Sequence, residues 1–132
     1  MIAVVAGALL VASLMAADNQ KQQKGTPSPA ARKSVSFKNQ VAPVIRKNCL
    51  PCHTEDQMNP SELYLDSYEG LMKGGKHGSP VVAGKPDSSL LIQKLGAKPP
   101  FGDPMPLKRK TPLGADTVSV LKRWIQQGAK NN

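Results

Sequence analysis

Cys49-Leu50-Pro51-Cys52-His53 is the stretch that decides how this chain reads. Cys-x-x-Cys-His is the spacing at which a c-type haem is attached. On the last turn of a helix and the bend after it, two thiols three positions apart reach the two vinyl groups of one porphyrin. The adjoining imidazole then falls over the iron as its proximal ligand. Cys49 and Cys52 are the only two cysteines in the chain.

A length of 132 residues leaves room for one small domain and its appendages. Hydrophobic content is 39% and aromatic content 4%, with one Trp, two Tyr and two Phe, a thin supply of large apolar groups. A flat apolar macrocycle fills that gap as the centre of a core, so the haem-free polypeptide is expected to fold poorly. The net charge of +9 falls entirely after Ala17. Haem propionates would offset about two units of it. A surface this basic points to redox partner proteins with acidic docking surfaces, and to weak association with an anionic membrane. It also suits a face that does no more than set solubility and encounter rate. Nucleic acid is not an expected partner, because no helix-turn-helix, zinc-finger or aromatic RNA-binding signature accompanies the scattered lysines.

Residues 2–17 carry no charge, are rich in Ala, Val and Leu, and end in Ala16-Ala17. The segment 1–17 therefore reads as a secretory signal peptide. It is shorter than the ~20 apolar residues of a membrane span. No Lys or Arg precedes the apolar run, which leaves an uncleaved anchor as the alternative. Export to the periplasm, soluble or tethered by this segment, agrees with the haem motif. Residues 18–34, polar and punctuated by Gly25, Pro27 and Pro29, read as a flexible linker. The domain proper is expected over 35–129, with 130–132 as a tail.

Within the domain, Phe37, Val41, Val44, Ile45 and Asn48 share one face of a helix expected from about Ser36 to Cys49. Pro43 lies inside that pattern and predicts a kink, or a restart with Pro43 in the first turn. Asp66-Ser67-Tyr68-Glu69 reads as a capping box that opens a short helix, stopped by Gly74 and Gly75. Asp87 is expected to cap a further helix over Ser88 to Leu95, closed by Gly96. The last helix starts near Ala115, buries Val118, Leu121 and Ile125, and ends at Gly128. Between these, Lys98 to Pro112 holds five prolines and reads as a stiff extended loop. No strand pattern appears. The fold class is all-α, about four short helices around one covalently attached haem.

The iron needs a second axial ligand. Met1 and Met15 belong to the leader, Met58 follows His53 too closely to cross the ring, and Met72 fits core packing. Met105, in Gly102-Asp103-Pro104-Met105-Pro106, stands in a loop whose flanking prolines fix the backbone, as placing a thioether on iron requires. His77 is the rival, but its glycine neighbours suggest an exposed mobile turn. The expected site is Cys49 and Cys52 for attachment, with His53 and Met105 on the iron.

The domain as a whole resembles the Planctomycete-type cytochrome c family. The likeness runs through Phe37, Val41-Ala42-Pro43-Val44-Ile45 and the haem motif, then Leu63-Tyr64-Leu65-Asp66-Ser67-Tyr68-Glu69-Gly70-Leu71. It continues through Val81-Val82-Ala83-Gly84-Lys85-Pro86-Asp87-Ser88-Ser89-Leu90-Leu91, Met105-Pro106, and Leu121 to Ala129, over about 95 residues. The resemblance implies a class I cytochrome c fold with crossing N- and C-terminal helices. It also implies haem bound through both cysteines, His53/Met105 iron, and a structural role for Trp124 and Ile125. The chain departs from the family pattern in the basic run Leu107-Lys108-Arg109-Lys110 after Met105-Pro106, and in Gly114, where a Ser cap is commoner.

With both axial positions filled, the function expected is a one-electron carrier and not an enzyme. The alternative is a haem enzyme, or a gas- or peroxide-binding cytochrome, with a labile distal ligand. A zinc site built from Cys49, Cys52, His53 and His77 is disfavoured, because adjacent Cys52 and His53 are awkward on one tetrahedral ion.

Overall fold

The N-terminal helix begins where Ser36 places its hydroxyl to accept the N–H of Asn39. The computed structural model describes residues 33–50, 52–107 and 109–132. The segment 1–17, nearly all of 18–34, Pro51 and Lys108 lie outside the described residues.

From Ser36 the chain makes a π-helical turn, Phe37–Val41, and then helix α1, Ala42–Asn48. Pro43 accounts for the division. It lies in the first turn of α1, where its missing N–H costs nothing. Ahead of it the backbone widens, with Val41 donating to the Ser36 carbonyl and Ala42 to that of Phe37. Of the two outcomes expected for Pro43, the helix restarts. Phe37, Val41 and Ile45 are buried, whereas Val44 and Asn48, expected on the same face, are only half-buried.

Helix α2, Tyr68–Lys73, is capped by the Ser67 hydroxyl, which accepts the N–H of Gly70 at 3.0 Å. The capping box is a correction: the third helical position is Gly70, with no side chain to reach back, so the cap is one-sided. Helix α3, Leu90–Gln93, is shorter than expected, and a 3-10 turn, Pro86–Ser88, precedes it. Asp87 caps nothing, because it lies inside that turn and pairs with Lys122 at 2.9 Å. Ser89 stands at the start of α3, but its buried hydroxyl donates to the Lys85 carbonyl and accepts the Val82 N–H. A side chain committed to the preceding loop cannot cap the helix that follows.

Helix α4, Ala115–Gln126, starts at Gly114 without a side-chain cap and buries Leu121, Trp124 and Ile125, while Val118 is only half-buried. It ends in a paired motif: Gly128 donates to the Ile125 carbonyl and Ala129 to that of Trp124. Gly128 adopts φ +97°, which glycine alone enters freely.

These elements share one core. The Phe37–Val41 turn packs on α4, with Phe37 5.5 Å from the ring of Trp124 and edge-on to Tyr68 at 5.1 Å. The Tyr68 hydroxyl and the Trp124 indole donate to the carbonyls of Ala129 and Lys130. Residues 130–132, expected as a tail, are tied in as well. Asn132 accepts the N–H of Phe37 on its side chain and those of Lys38 and the Ser36 hydroxyl on its carbonyl. The structure is helical, and among the described residues the only β-type pairing is an isolated bridge between Gly75 and Gly78. The protein is all-α.

Candidate haem site

Cys49 is the C-cap of α1, its N–H bonded to the Ile45 carbonyl at 2.8 Å. The chain then bends so that His53 donates its N–H to the Cys49 carbonyl at 3.2 Å. The two ends of the motif thus lie across one backbone turn, as attachment from a helix end requires. Both thiols are free. Cys49 is half-buried against the core, and burial pushes its thiol up to about 11, so it is protonated at neutral pH. Cys52 is exposed.

The imidazole of His53 is held from behind. Its Nδ1 lies 2.9 Å from the Leu63 carbonyl. A carbonyl only accepts, so the proton sits on Nδ1 and the lone pair is on Nε2. Asn59 donates to the same carbonyl at 2.6 Å. The Asn59 side-chain oxygen in turn accepts from Ser61, both from its N–H and from its hydroxyl. The Leu65 N–H closes the arrangement on the His53 carbonyl at 2.8 Å. The 59–63 loop also rests on Gly75. A Cβ there would meet the Ser61 carbonyl oxygen at 2.3 Å, so only glycine permits the approach.

Met105 is half-buried, and its N–H donates to the Lys94 carbonyl at 2.6 Å. Met58 is 98% exposed, and Met72 packs against the core. His77 is exposed, as expected, but not loose: its ring stacks on Phe101 with centroids 4.1 Å apart. The Met105 loop is linked back to the attachment segment by Arg109, which donates to the side chain of Asn48 at 2.8 Å, one residue before Cys49. Among the described residues no three of His, Cys, Asp and Glu come together as a metal cluster.

Haem c fits this donor set. Two unpaired thiols, one half-buried and one exposed, precede in sequence an imidazole whose Nε2 is left for a metal by the bond on its other nitrogen. The sequence assigned Leu63, Asn59 and Lys94 no part in the site. Only Asn59-Pro60-Ser61 carried a signal, that of a turn in which an Asn side chain bonds the backbone two residues on.

An all-α fold that carries Cys49, Cys52 and His53 at this spacing is what a cytochrome of the c type would have. Residues 49–102 match the family model described as Planctomycete cytochrome C, the family the sequence resembles, and the match begins on Cys49. Met105 lies just beyond the matched segment. Among solved structures, the chain is similar to the hydrazine synthase of Kuenenia stuttgartiensis, with 22% identity and a TM-score of 0.48. The alignment covers 74% of this chain and 16% of that one, so this chain spans a small part of the length of the protein it matches. No curated protein matches the chain.

Proposed function

We propose that this protein is an exported, mono-haem cytochrome that carries single electrons between protein partners. Bound haem c supplies an Fe(III)/Fe(II) couple. Cys49 and Cys52 would hold it through thioethers, His53 Nε2 would be the proximal ligand, and the Met105 thioether would take the opposite position. If His53 and Met105 both ligate the iron, no position would be left on it for a substrate, which would suit transfer of an electron without bond making. The observation that carries this reading is the orientation of His53, whose Nδ1–H is spent on Leu63 and whose Nε2 is not. The anchoring of the Met105 main chain on Lys94 supports Met105 as the second ligand, since a fixed backbone places a thioether reproducibly. Export rests on the apolar segment 1–17, and no helix among the described residues is long and apolar enough to cross a membrane.

The test is the optical spectrum of protein matured with covalent haem, oxidised and reduced, for wild type and Met105→Ala. Low-spin bands with a near-red sulfur-to-iron charge-transfer feature, lost in the variant, are expected. A high-spin spectrum, or one indifferent to the substitution, overturns the ligation and favours a cytochrome that binds gas or peroxide. Absence of covalent haem overturns the whole reading.

A further inference from the structure

We infer that Lys94 is the positioning residue of the loop that carries Met105, an inference that rests on the reading of Met105 as an iron ligand. Lys94 is the C-cap of α3, its own N–H bonded to the Leu90 carbonyl at 2.8 Å. From that fixed point it holds the loop by main chain and side chain together. Its carbonyl accepts the Met105 N–H at 2.6 Å, and its ammonium donates to the carbonyls of Phe101 at 2.7 Å and Asp103 at 2.6 Å. The same nitrogen stands 4.8 Å from the centroid of the Phe101 ring, whose plane stacks on His77. The span 101–105 has no regular secondary structure and includes Gly102 at φ +52°. Three attachments to one residue therefore replace the ladder of bonds that a helix would provide.

The chemistry suits a lysine. An ammonium has three donors and no acceptor, so it can gather two backbone carbonyls that cannot bond each other. Charge-assisted bonds of this kind are stronger than neutral ones. Their consequence for the site is a low population of the open loop. An incoming ligand can replace the Met105 thioether only from the open form, so the grip of Lys94 sets how readily that exchange occurs.

The experiment uses the full chain with covalent haem and compares wild type, Lys94→Met, Lys94→Arg and Met105→Ala. Two quantities are read: hydrogen exchange at the Met105 amide, and the affinity for added imidazole, followed by loss of the sulfur-to-iron band. In Lys94→Met, exchange at Met105 should accelerate about tenfold and imidazole should bind about tenfold more tightly, while Lys94→Arg stays near wild type. Exchange in α4 should not change. Wild-type values for both quantities in Lys94→Met overturn the inference. An equal acceleration throughout α4 overturns it too, because Lys94 would then be a general stabiliser. Failure of the ligation reading is separate: Met105→Ala would keep the wild-type spectrum, and exchange at Met105 alone would decide whether Lys94 holds the loop.

Discussion

His53 donates its Nδ1–H to the Leu63 carbonyl across 2.9 Å, and this one bond determines which nitrogen of the imidazole is offered to a metal. The Leu63 carbonyl is itself shared, because Asn59 donates to it at 2.6 Å. A carbonyl with two donors polarises each less than it would a single one, so Asn59 tempers the basicity that Leu63 imparts to His53.

Asn59→Ala should therefore do two things. It removes the brace of the 59–63 loop, which should destabilise the protein by about 1–2 kcal/mol in denaturant unfolding. It also leaves Leu63 to His53 alone, which makes the imidazole more electron-rich and favours Fe(III). The reduction potential should fall, and a redox titration measures it. An unchanged potential with the stability loss intact would restrict Asn59 to bracing the loop.

Gly75→Ala tests the support from the other side. A Cβ at this position would lie 2.3 Å from the Ser61 oxygen and 2.8 Å from the Leu63 nitrogen, both backbone atoms that cannot swing aside. The loop must shift, and the Leu63 carbonyl moves with it. A loss of about 1–3 kcal/mol is expected, with a lower yield of covalent haem on maturation. Gly78→Ala is the comparison. Nothing lies within 4 Å of a Cβ there, and its cost should come from φ +81° alone, without effect on the His53 environment.

The glycines show what the sequence could and could not convey. Gly74 and Gly75 read correctly as the stop of α2, since a helix end is a local event. The approach of Gly74 to Gly78 is again a local turn, but that of Gly75 to residues 61–63 is made by an earlier stretch of chain, and no residue type announces it. Cys49, Cys52 and His53 form a local pattern too, because attachment to one ring would need them at fixed spacing, and the proposed site rests on that pattern. The Leu63 carbonyl and the Lys94 grip on the Met105 loop were not legible, since a backbone acceptor has the same chemistry at every position. Asp87 was misread because an Asp before an apolar run suits a cap, whereas Ser89 supplies the turn and Lys122 takes the carboxylate. The Ser36 cap, the restart at Pro43 and the stop at Gly128 follow from intrinsic preferences and appear where those preferences place them.

Trp124 joins the two ends of the domain, and its replacement should separate packing from hydrogen bonding. It is 1% exposed, lies against Phe37, and donates its indole N–H to the Lys130 carbonyl at 2.9 Å. Trp124→Phe keeps most of the ring contact and orphans one carbonyl near the surface, for an expected cost of about 1–2 kcal/mol. Trp124→Ala opens a cavity between the Phe37–Val41 turn and α4, for about 3–5 kcal/mol. Urea unfolding followed by the haem absorption gives both values. Equal losses for the two variants would mean that the hydrogen bond, and not the packing, holds the termini together.

The basic surface beside residues 49–53 allows a test of the proposed encounter with an acidic partner. Arg109 and Lys47 line a cavity of about 340 Å³ with Pro43, Val44, Asn48 and Leu113. Arg109 is fixed there by its bond to Asn48, which in turn donates to the Val44 carbonyl at 2.7 Å. On the proposed carrier reading, Lys47 and Arg109 would raise the potential on this side of the molecule and draw an acidic partner to it. Lys47→Gln should slow bimolecular electron transfer with an acidic redox protein by about two- to fivefold at low ionic strength. The rates of variant and wild type should converge as salt screens the field. Arg109→Gln should slow transfer similarly and also loosen its tie to Asn48, so a residual difference at high salt is expected for Arg109 and not for Lys47. Stopped-flow kinetics across an ionic-strength series measures both. Rates independent of salt in all three proteins would remove electrostatic steering and leave the charge of +9 as a matter of solubility.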